Sequence, residues 1–392
     1  MNKNLWLLAL AQGFFLTNNV LFIAVNGLVG LALAPLGWLA TLPVMAYVVG
    51  GALSTSLVAG VQRRRGRKFS FLTGLAVGLF SALLCAYAAI DRNFWLLCFA
   101  TLVAGYYNAN AQLYRFAAAE LAAPPAREKA VSLVMAGGLI GAVVGPYLAV
   151  HSRELVDAPF AGAYLALAVV ALLGMGLIGL IDFAPAPKAG GLRAGRPLRE
   201  IMTQPAFVVS ALTGALSFGV MNLLMASTPI AMQMCGLPFS DAALVLQWHV
   251  IGMFAPGFFT GHLIKRFGTT AIMVLGLVLM LVCVLIALSG LDLHQFLAAS
   301  LLLGVGWNFV FTGSTTLSLD AYRPEEKDKA QGALNFCVLT TLAVSSLASG
   351  VLVTTQGWTF LNVGSLPVVV LMGLSLWWLA RKRASVIPLS AA

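Results

Sequence analysis

The chain has 392 residues, of which 60% are hydrophobic and only 9% are Asp, Glu, Lys or Arg. Soluble domains carry roughly a quarter charged residues, so this composition excludes a water-soluble globular protein. The formal net charge of +10 does not indicate a nucleic-acid-binding protein, because the basic residues fall in short loops between long apolar stretches.

Apolar stretches long enough to cross a hydrocarbon core recur along the whole chain. Inside lipid every backbone amide must be bonded within its own segment, so each stretch is predicted to be a helix. The first stretch lacks the cleavage pattern of a signal peptide and is expected to anchor the chain. The twelve predicted spans are residues 5–31, 35–60, 68–90, 94–120, 128–150, 160–182, 205–234, 240–263, 269–289, 295–319, 328–354 and 357–381.

The loops between these spans differ in charge on the two sides of the membrane. One side carries only Arg92 and Arg153. The other side carries the basic residues of 62–68, 127–129, 188–199, 265–266, 323–329 and 381–383. Because basic loops stay in the cytoplasm, both termini are predicted to be cytoplasmic in a bacterial inner membrane.

Residues 183–204 form the longest break and are rich in Pro, Gly and Arg, which predicts a cytoplasmic linker. The linker separates an N-terminal six-helix bundle, 1–182, from a C-terminal bundle, 205–392. Several residue types return after an offset of 200, in equivalent loops and spans, which indicates an internal duplication in parallel orientation. The matches include Asn108 with Asn308, Glu120 with Asp320, and Pro124 with Pro324.

The loop between the second and third spans ends Arg64-Arg65-Gly66-Arg67-Lys68. This loop resembles that of the major facilitator superfamily, which reads Gly-x-x-x-Asp-Arg-x-Gly-Arg-Lys, although Arg63 stands at the position of the Asp. The resemblance covers all twelve spans. It implies an all-α membrane protein of two six-helix bundles, with alternating access around a site near the bilayer midplane. The usual cytoplasmic lock, which uses that acidic residue, is not expected.

Polar residues inside the spans are candidates for the walls of a central cavity, because polar groups facing lipid are costly. Asn18 and Asn19 lie in span 1, Asn108 in span 4 and Asn308 in span 10, which are cavity-lining spans in the resembled fold. The alternative is that these amides hold helices together. No Asp or Glu lies mid-span, which disfavours antiport coupled through a buried acid.

Methionine and histidine form two motifs in neighbouring spans. Met221 and Met225 in span 7, and His249 and Met253 in span 8, are each spaced i, i+4 and share a helix face. Counted from the outer ends, the two pairs lie at matched depths near mid-membrane. Thioether and imidazole ligands suit a soft ion, above all Cu(I). The alternative is packing, since Met is a common filler of apolar helices.

Two further sulfur residues extend this hypothesis. Cys235, at the outer end of span 7, could receive the ion first, and Met45 in span 2 could contribute from the other bundle. The remaining cysteines are interpreted as small apolar side chains.

The Met-x3-Met and His-x3-Met motifs, with the stretch 254–261 after them, resemble the CcoA-like copper importers of bacteria. The resemblance implies uptake of copper, as Cu(I), from periplasm to cytoplasm, bound by Met221, Met225, His249 and Met253. It also implies supply of copper to the assembly of enzymes such as cytochrome oxidase. The same branch includes relatives with other cargo, such as riboflavin.

The leading prediction is therefore a monomeric copper importer in the lipid bilayer, with copper as transported substrate and no permanently bound cofactor. No nucleophile–base pair or phosphate loop indicates an enzyme. One rival is a transporter of riboflavin or a similar flat solute, with the Met residues only packing. A second rival is a transporter-like sensor, although the chain lacks a large signalling domain. The riboflavin cavity would use Asn18, Asn19, Asn108, Trp248, Tyr106 and Tyr107.

Overall fold

The computed structural model describes residues 3–123, 127–183, 195–323 and 326–384, which are helical apart from short connections. A short 3-10 helix covers Gly37–Leu39. The α-helices are α1 (Lys3–Leu33), α2 (Leu42–Ile90), α3 (Phe94–Ala111), α4 (Tyr114–Leu121), α5 (Arg127–Ser152), α6 (Ala161–Gly179), α7 (Leu198–Met202), α8 (Pro205–Met234), α9 (Phe239–Phe254), α10 (Gly257–Phe267), α11 (Thr269–Ser289), α12 (Leu293–Ser318), α13 (Lys327–Thr355) and α14 (Gly357–Ala384).

The helices depart from the predicted span boundaries at three places. The 49-residue α2 contains predicted spans 2 and 3, which meet at Gly66, where the backbone adopts φ 79°. A left-handed φ is a conformation that favours glycine, so one residue suffices for the break. Predicted span 4 divides into α3 and α4. Predicted span 8 divides into α9 and α10, which are bent by 42° beside Pro256, a residue without a backbone donor.

Within the described ranges, nine helices are long and apolar enough to cross a membrane, or ten if the bent α9–α10 pair is one span. The kinked α2 accounts for two predicted spans, and α3 with α4 covers the fourth. The architecture is therefore an all-helical membrane fold that is compatible with twelve crossings.

The molecule has two faces that differ in the helix ends and connections they carry. The terminal face holds the beginning of α1, the end of α14 and the kink at Gly66. The distal face holds the opposite helix ends, such as those at Leu33, Leu42 and Phe239. The basic residues of 62–68, 265–266 and 381–383 lie on the terminal face.

Each half packs mainly within itself. In the N-terminal bundle the closest pairings are α2 with α3, α1 with α5, and α2 with α6. In the C-terminal bundle they are α11 with α12, α8 with α13, and α9 with α12. The two bundles meet through α5 with α9, α2 with α13, and α1 with α8.

Acidic residues at matching positions of the two bundles form ion pairs at the terminal face. Glu120 pairs with Arg67 at the kink of α2, and its counterpart Asp320 pairs with Arg383 at the end of α14, at 2.8 Å. The basic partners come from different positions, so the duplication stays a prediction. The matching prolines 124 and 324 lie outside the described residues.

The last part of the predicted linker is docked on the C-terminal bundle. The Glu326 side chain has no exposed surface. It pairs with Arg196 at 2.7 Å and accepts the Arg196 and Arg323 backbone N–H groups. The Arg196 guanidinium, with the Arg323 amide, holds the pKa of Glu326 well below its usual range. Residues 184–194 lie outside the described ranges, so the linker boundaries stay a prediction.

Candidate functional site

The predicted methionine–histidine residues lie in the interior of the C-terminal bundle. Met221, Met225, His249 and Met253 are all buried, and the three methionines belong to one apolar cluster. Helix α12 contacts both α8 and α9 more extensively than those two helices contact each other. Both motifs therefore border α12. The sequence analysis compared the depths of the two motifs in spans 7 and 8 and did not consider this third helix.

The hydrogen bond of His249 determines how its ring is protonated. Nδ1 lies 2.7 Å from the backbone oxygen of Ser300 on α12. A carbonyl oxygen only accepts, so Nδ1 carries the proton. In the neutral ring Nε2 is then an acceptor. Nε2 is buried and has no hydrogen-bond partner among the described residues.

Asn308, predicted to line the cavity, bridges the break between α9 and α10. Its amide donates to the Met253 carbonyl at 2.7 Å, and its side-chain oxygen accepts from the Thr260 hydroxyl at 2.7 Å. Pro256 cannot donate to the helix ladder, so carbonyl groups near the bend need other partners. Asn308 therefore stabilises the bent helix.

We expect Asn308→Ala to destabilise the protein by about 1–3 kcal/mol, because it leaves the Met253 carbonyl without its side-chain donor. Thermal unfolding of purified protein in detergent measures this change. Asn362→Ala is the matched control, because that amide donates only within its own helix, to Trp358 at 2.9 Å. Equal melting temperatures for the two variants would contradict the assignment.

Three aromatic side chains form a cluster between α8 and α12 near mid-membrane. Trp307 and Phe311 stack with centroids 5.0 Å apart, and Phe218 meets Trp307 edge-to-face at 5.1 Å. The buried Trp307 Nε1 donor has no hydrogen-bond partner in the described ranges. The sequence analysis missed this aromatic cluster. The one available signal was the position of Trp307 beside Asn308.

A second polar and aromatic cluster lies in the N-terminal bundle. Asn18, Phe22 and Asn26 recur every four residues along one face of α1. Tyr47 stacks on Phe22 at 5.1 Å, and the Tyr164 hydroxyl donates to Asn26 at 2.6 Å. The Tyr47 hydroxyl and the Asn18 side chain interact with each other. Among the described residues, the buried Nδ2 atom of Asn26 has no hydrogen-bond partner, so this cluster holds an unpaired donor in a largely apolar setting.

The other predicted residues are spread over both bundles. Asn19, Met45, Tyr106 and Asn108 are half-buried, Cys235 is exposed at the distal end of α8, and Trp248 is also exposed. Tyr107 is buried edge-to-face against Phe15. In the described part of the chain, no three His, Cys, Asp or Glu side chains form a group that could hold a metal ion.

Polar contacts join the two bundles at the distal face. The Thr41 hydroxyl of the N-terminal bundle accepts the Gly350 N–H at 3.0 Å and donates to the Leu347 carbonyl at 3.4 Å. Both partners belong to α13. These bonds hold the start of α2 against the distal part of α13.

Aromatic contacts close the same face beside α9. The Arg153 guanidinium lies 4.9 Å from the Phe160 ring centre and 5.6 Å from that of Phe239, across the bundle boundary. The two rings meet edge-to-face at 5.1 Å. The same three residues, together with others of both bundles that include Leu28 and Gln233, line a cavity of about 200 Å³. The distal face is therefore closed.

Solved structures share this architecture. A bacterial homologue of the human lysosomal transporter Spinster, in an inward-facing and occupied conformation, aligns with a TM-score of 0.74 over 96% of both chains at 14% identity. A bacterial metal transporter aligns with a TM-score of 0.67 over 97% of this chain and 99% of its own, at 15% identity. At such identities the likeness concerns the fold alone.

Among curated proteins, the riboflavin transporter RfnT of Brucella anthropi is 39% identical over 373 residues, which are 94% of each chain. This similarity overturns the prediction of copper import. The i, i+4 spacing of the motif residues also suits packing around α12; these residues are Met221, Met225, His249 and Met253.

The sequence model of the Major Facilitator Superfamily matches residues 5–256 and 236–390. The chain belongs to the major facilitator superfamily, as this match over nearly its whole length shows.

Proposed function

We propose that this protein transports a flat, uncharged organic solute of the riboflavin kind across the bacterial inner membrane. The observation that carries the proposal is its 39% identity to a riboflavin transporter over 94% of both chains. Transport would proceed by alternating access, and the closed distal face corresponds to an inward-facing state.

The aromatic cluster of α8 and α12 supports a flat cargo. Aromatic side chains prefer offset-stacked or edge-to-face partners, so Phe218, Trp307 and Phe311 would offer such contacts to a heterocycle. Trp307 is 14 residues from the distal start of α12, and Asn18 is 15 residues from the distal end of α1. At 1.5 Å per residue both are roughly 21–22 Å deep, so the two bundles would contact one cargo at the same level.

The unpaired polar atoms support a neutral, polar cargo. The Nδ2 atom of Asn26 and the Nε1 atom of Trp307 have no partner among the described residues, so they can donate to carbonyl or ring-nitrogen acceptors. Buried polar groups without partners are costly, and a bound heterocycle would supply the missing bonds. Met221, Met225 and Met253 would then act as apolar packing, as the rival interpretation of the sequence held.

The membrane arrangement follows from the charge pattern. We propose twelve crossings, with α2 supplying two, and a cytoplasmic terminal face because it carries the basic loops. We further propose that the protein acts as a monomer, since each bundle is packed against the other within one chain.

A bacterial strain that can neither make nor import riboflavin tests the proposal. We expect expression of this protein to restore growth on low external riboflavin and to accelerate uptake of labelled riboflavin. Trp307→Ala removes the central stacking ring and should reduce uptake, whereas Trp377→Ala, at an exposed position of α14, should not. No growth rescue despite protein in the membrane would refute the proposal.

A further inference from the structure

The buried Nε2 atom of His249, in the C-terminal bundle, is a free hydrogen-bond acceptor among the described residues. We infer that Nε2 of His249 accepts a hydrogen bond from the transported solute, so the solute must present an N–H or O–H donor at this position. This inference rests on the proposed function and names what the cargo must offer. It also gives His249 a role in specificity that does not involve a metal.

The direction of the hydrogen bond follows from the Ser300 contact. Nδ1 lies 2.7 Å from a carbonyl oxygen and must donate to it. The neutral ring therefore presents a lone pair at Nε2. His249 is only 1% exposed, and Nε2 has no partner among the described residues. A buried acceptor in this state costs free energy that a donor from the solute would recover.

Close packing holds His249 in place. A Cβ at Gly304 of α12 would lie 2.4 Å from the His249 backbone oxygen and 2.9 Å from the Met253 nitrogen. A Cβ at Gly252 would lie 2.7 Å from the Leu301 backbone oxygen. Because α9 and α12 are in close backbone contact at the histidine and over the turn that follows it, the ring cannot readily move toward another donor.

Riboflavin has two kinds of donor that fit this requirement. Its ring system carries an imide N–H between two carbonyl groups, and its sugar-like side chain carries hydroxyl groups. N3-methylriboflavin lacks the imide donor, and lumiflavin lacks the hydroxyl donors. The two analogues therefore distinguish which part of the solute meets His249.

The experiment measures uptake of riboflavin, N3-methylriboflavin and lumiflavin by cells that express wild-type protein or a variant. We expect wild type to transport one analogue about tenfold to a hundredfold less efficiently than riboflavin, the range for one lost buried hydrogen bond. His249→Phe keeps a ring and removes the acceptor, so its preference for riboflavin over that analogue should fall to about one. His249→Gln retains an acceptor and should keep part of the preference.

His151→Phe is the matched control. Nδ1 of His151 also lies 2.9 Å from a backbone carbonyl, that of Tyr147, but the side chain is exposed at the distal face. This variant should discriminate like wild type. If His249→Phe is not monodisperse in detergent, His249→Leu takes its place.

Two results would overturn the inference while leaving the proposed function intact. One is equal transport of riboflavin and both analogues by wild type, as expected if a water molecule pairs with Nε2. The other is unchanged discrimination in folded His249→Phe or His249→Leu. Failure of wild type to transport riboflavin would instead remove the proposed function, and the inference with it.

Discussion

Replacing Gly350 with valine is expected to reduce uptake at least about fivefold while leaving the protein folded. A Cβ at position 350 would lie 2.3 Å from the Thr41 hydroxyl oxygen and 3.0 Å from the Thr41 backbone nitrogen. This contact joins α13 to the opposite bundle at the distal face. A larger side chain would therefore hold the two bundles apart there without disturbing either bundle internally.

The size of the effect follows from the steric cost. Overpacking a close contact costs about 1–3 kcal/mol, and each 1.4 kcal/mol changes the ratio of two states by about tenfold. The closed distal state would thus lose most of its population, and alternating access would stall with the distal face open. Uptake normalised to the amount of protein in the membrane measures the loss, and thermal unfolding checks the fold.

Gly332→Val on the same helix is the matched control, because nothing lies within 4 Å of its Cβ position. A second test uses the milder Gly350→Ala alone and with Thr41→Ala. The double variant removes the clashing hydroxyl and methyl atoms, so it should recover part of the uptake. Equal uptake by Gly350→Val and Gly332→Val would show that distal closure does not require this contact.

Replacing Gly105 with valine is expected to prevent the N-terminal bundle from folding. A Cβ at position 105 would lie 2.2 Å from the Gly51 nitrogen and 2.3 Å from the Gly50 carbonyl carbon. A Cβ at Gly50 would lie 1.9 Å from the Leu102 backbone oxygen. Helices α2 and α3 therefore cross with their backbones in contact, as small residues allow in membrane bundles.

No change of side-chain conformation relieves a clash between a Cβ and the backbone of another helix, so the two helices must separate. We expect a cost at or above the upper end of about 1–3 kcal/mol. The measurement is the yield of monodisperse protein in detergent and its melting temperature. Gly60→Val on α2 is the control, since its Cβ position has no neighbour within 4 Å. A folded Gly105→Val with unchanged melting temperature would contradict this crossing.

Sequence reasoning worked for features that depend on one segment at a time. Long apolar stretches had to be helices because lipid offers no partners to the backbone. The bend of predicted span 8 lies beside Pro256, a signal that the sequence analysis did not use. Its stabilisation left no local signal, because Asn308 reaches the bend from 55 residues beyond Met253.

The copper hypothesis shows the limit of spacing as evidence. The i, i+4 pairs correctly placed Met221 with Met225, and His249 with Met253, each on one helix face. That spacing did not reveal that α12 borders both pairs. It also did not reveal that Nδ1 of His249 donates a hydrogen bond to the Ser300 carbonyl. The similarity to a riboflavin transporter then overturned the copper prediction.

By itself, the sequence determined that this protein is a helical membrane protein, and it predicted a duplication with the basic loops on one face. Helix formation in lipid depends on the composition and length of each segment, which a single chain makes visible. Only the tertiary structure decided which polar atoms are satisfied by neighbours and which, such as His249 Nε2 and Asn26 Nδ2, have no partner in the part of the chain that the structure describes. That distinction depends on hydrogen-bond partners that helix packing brings together from distant segments, so a local sequence pattern cannot predict it.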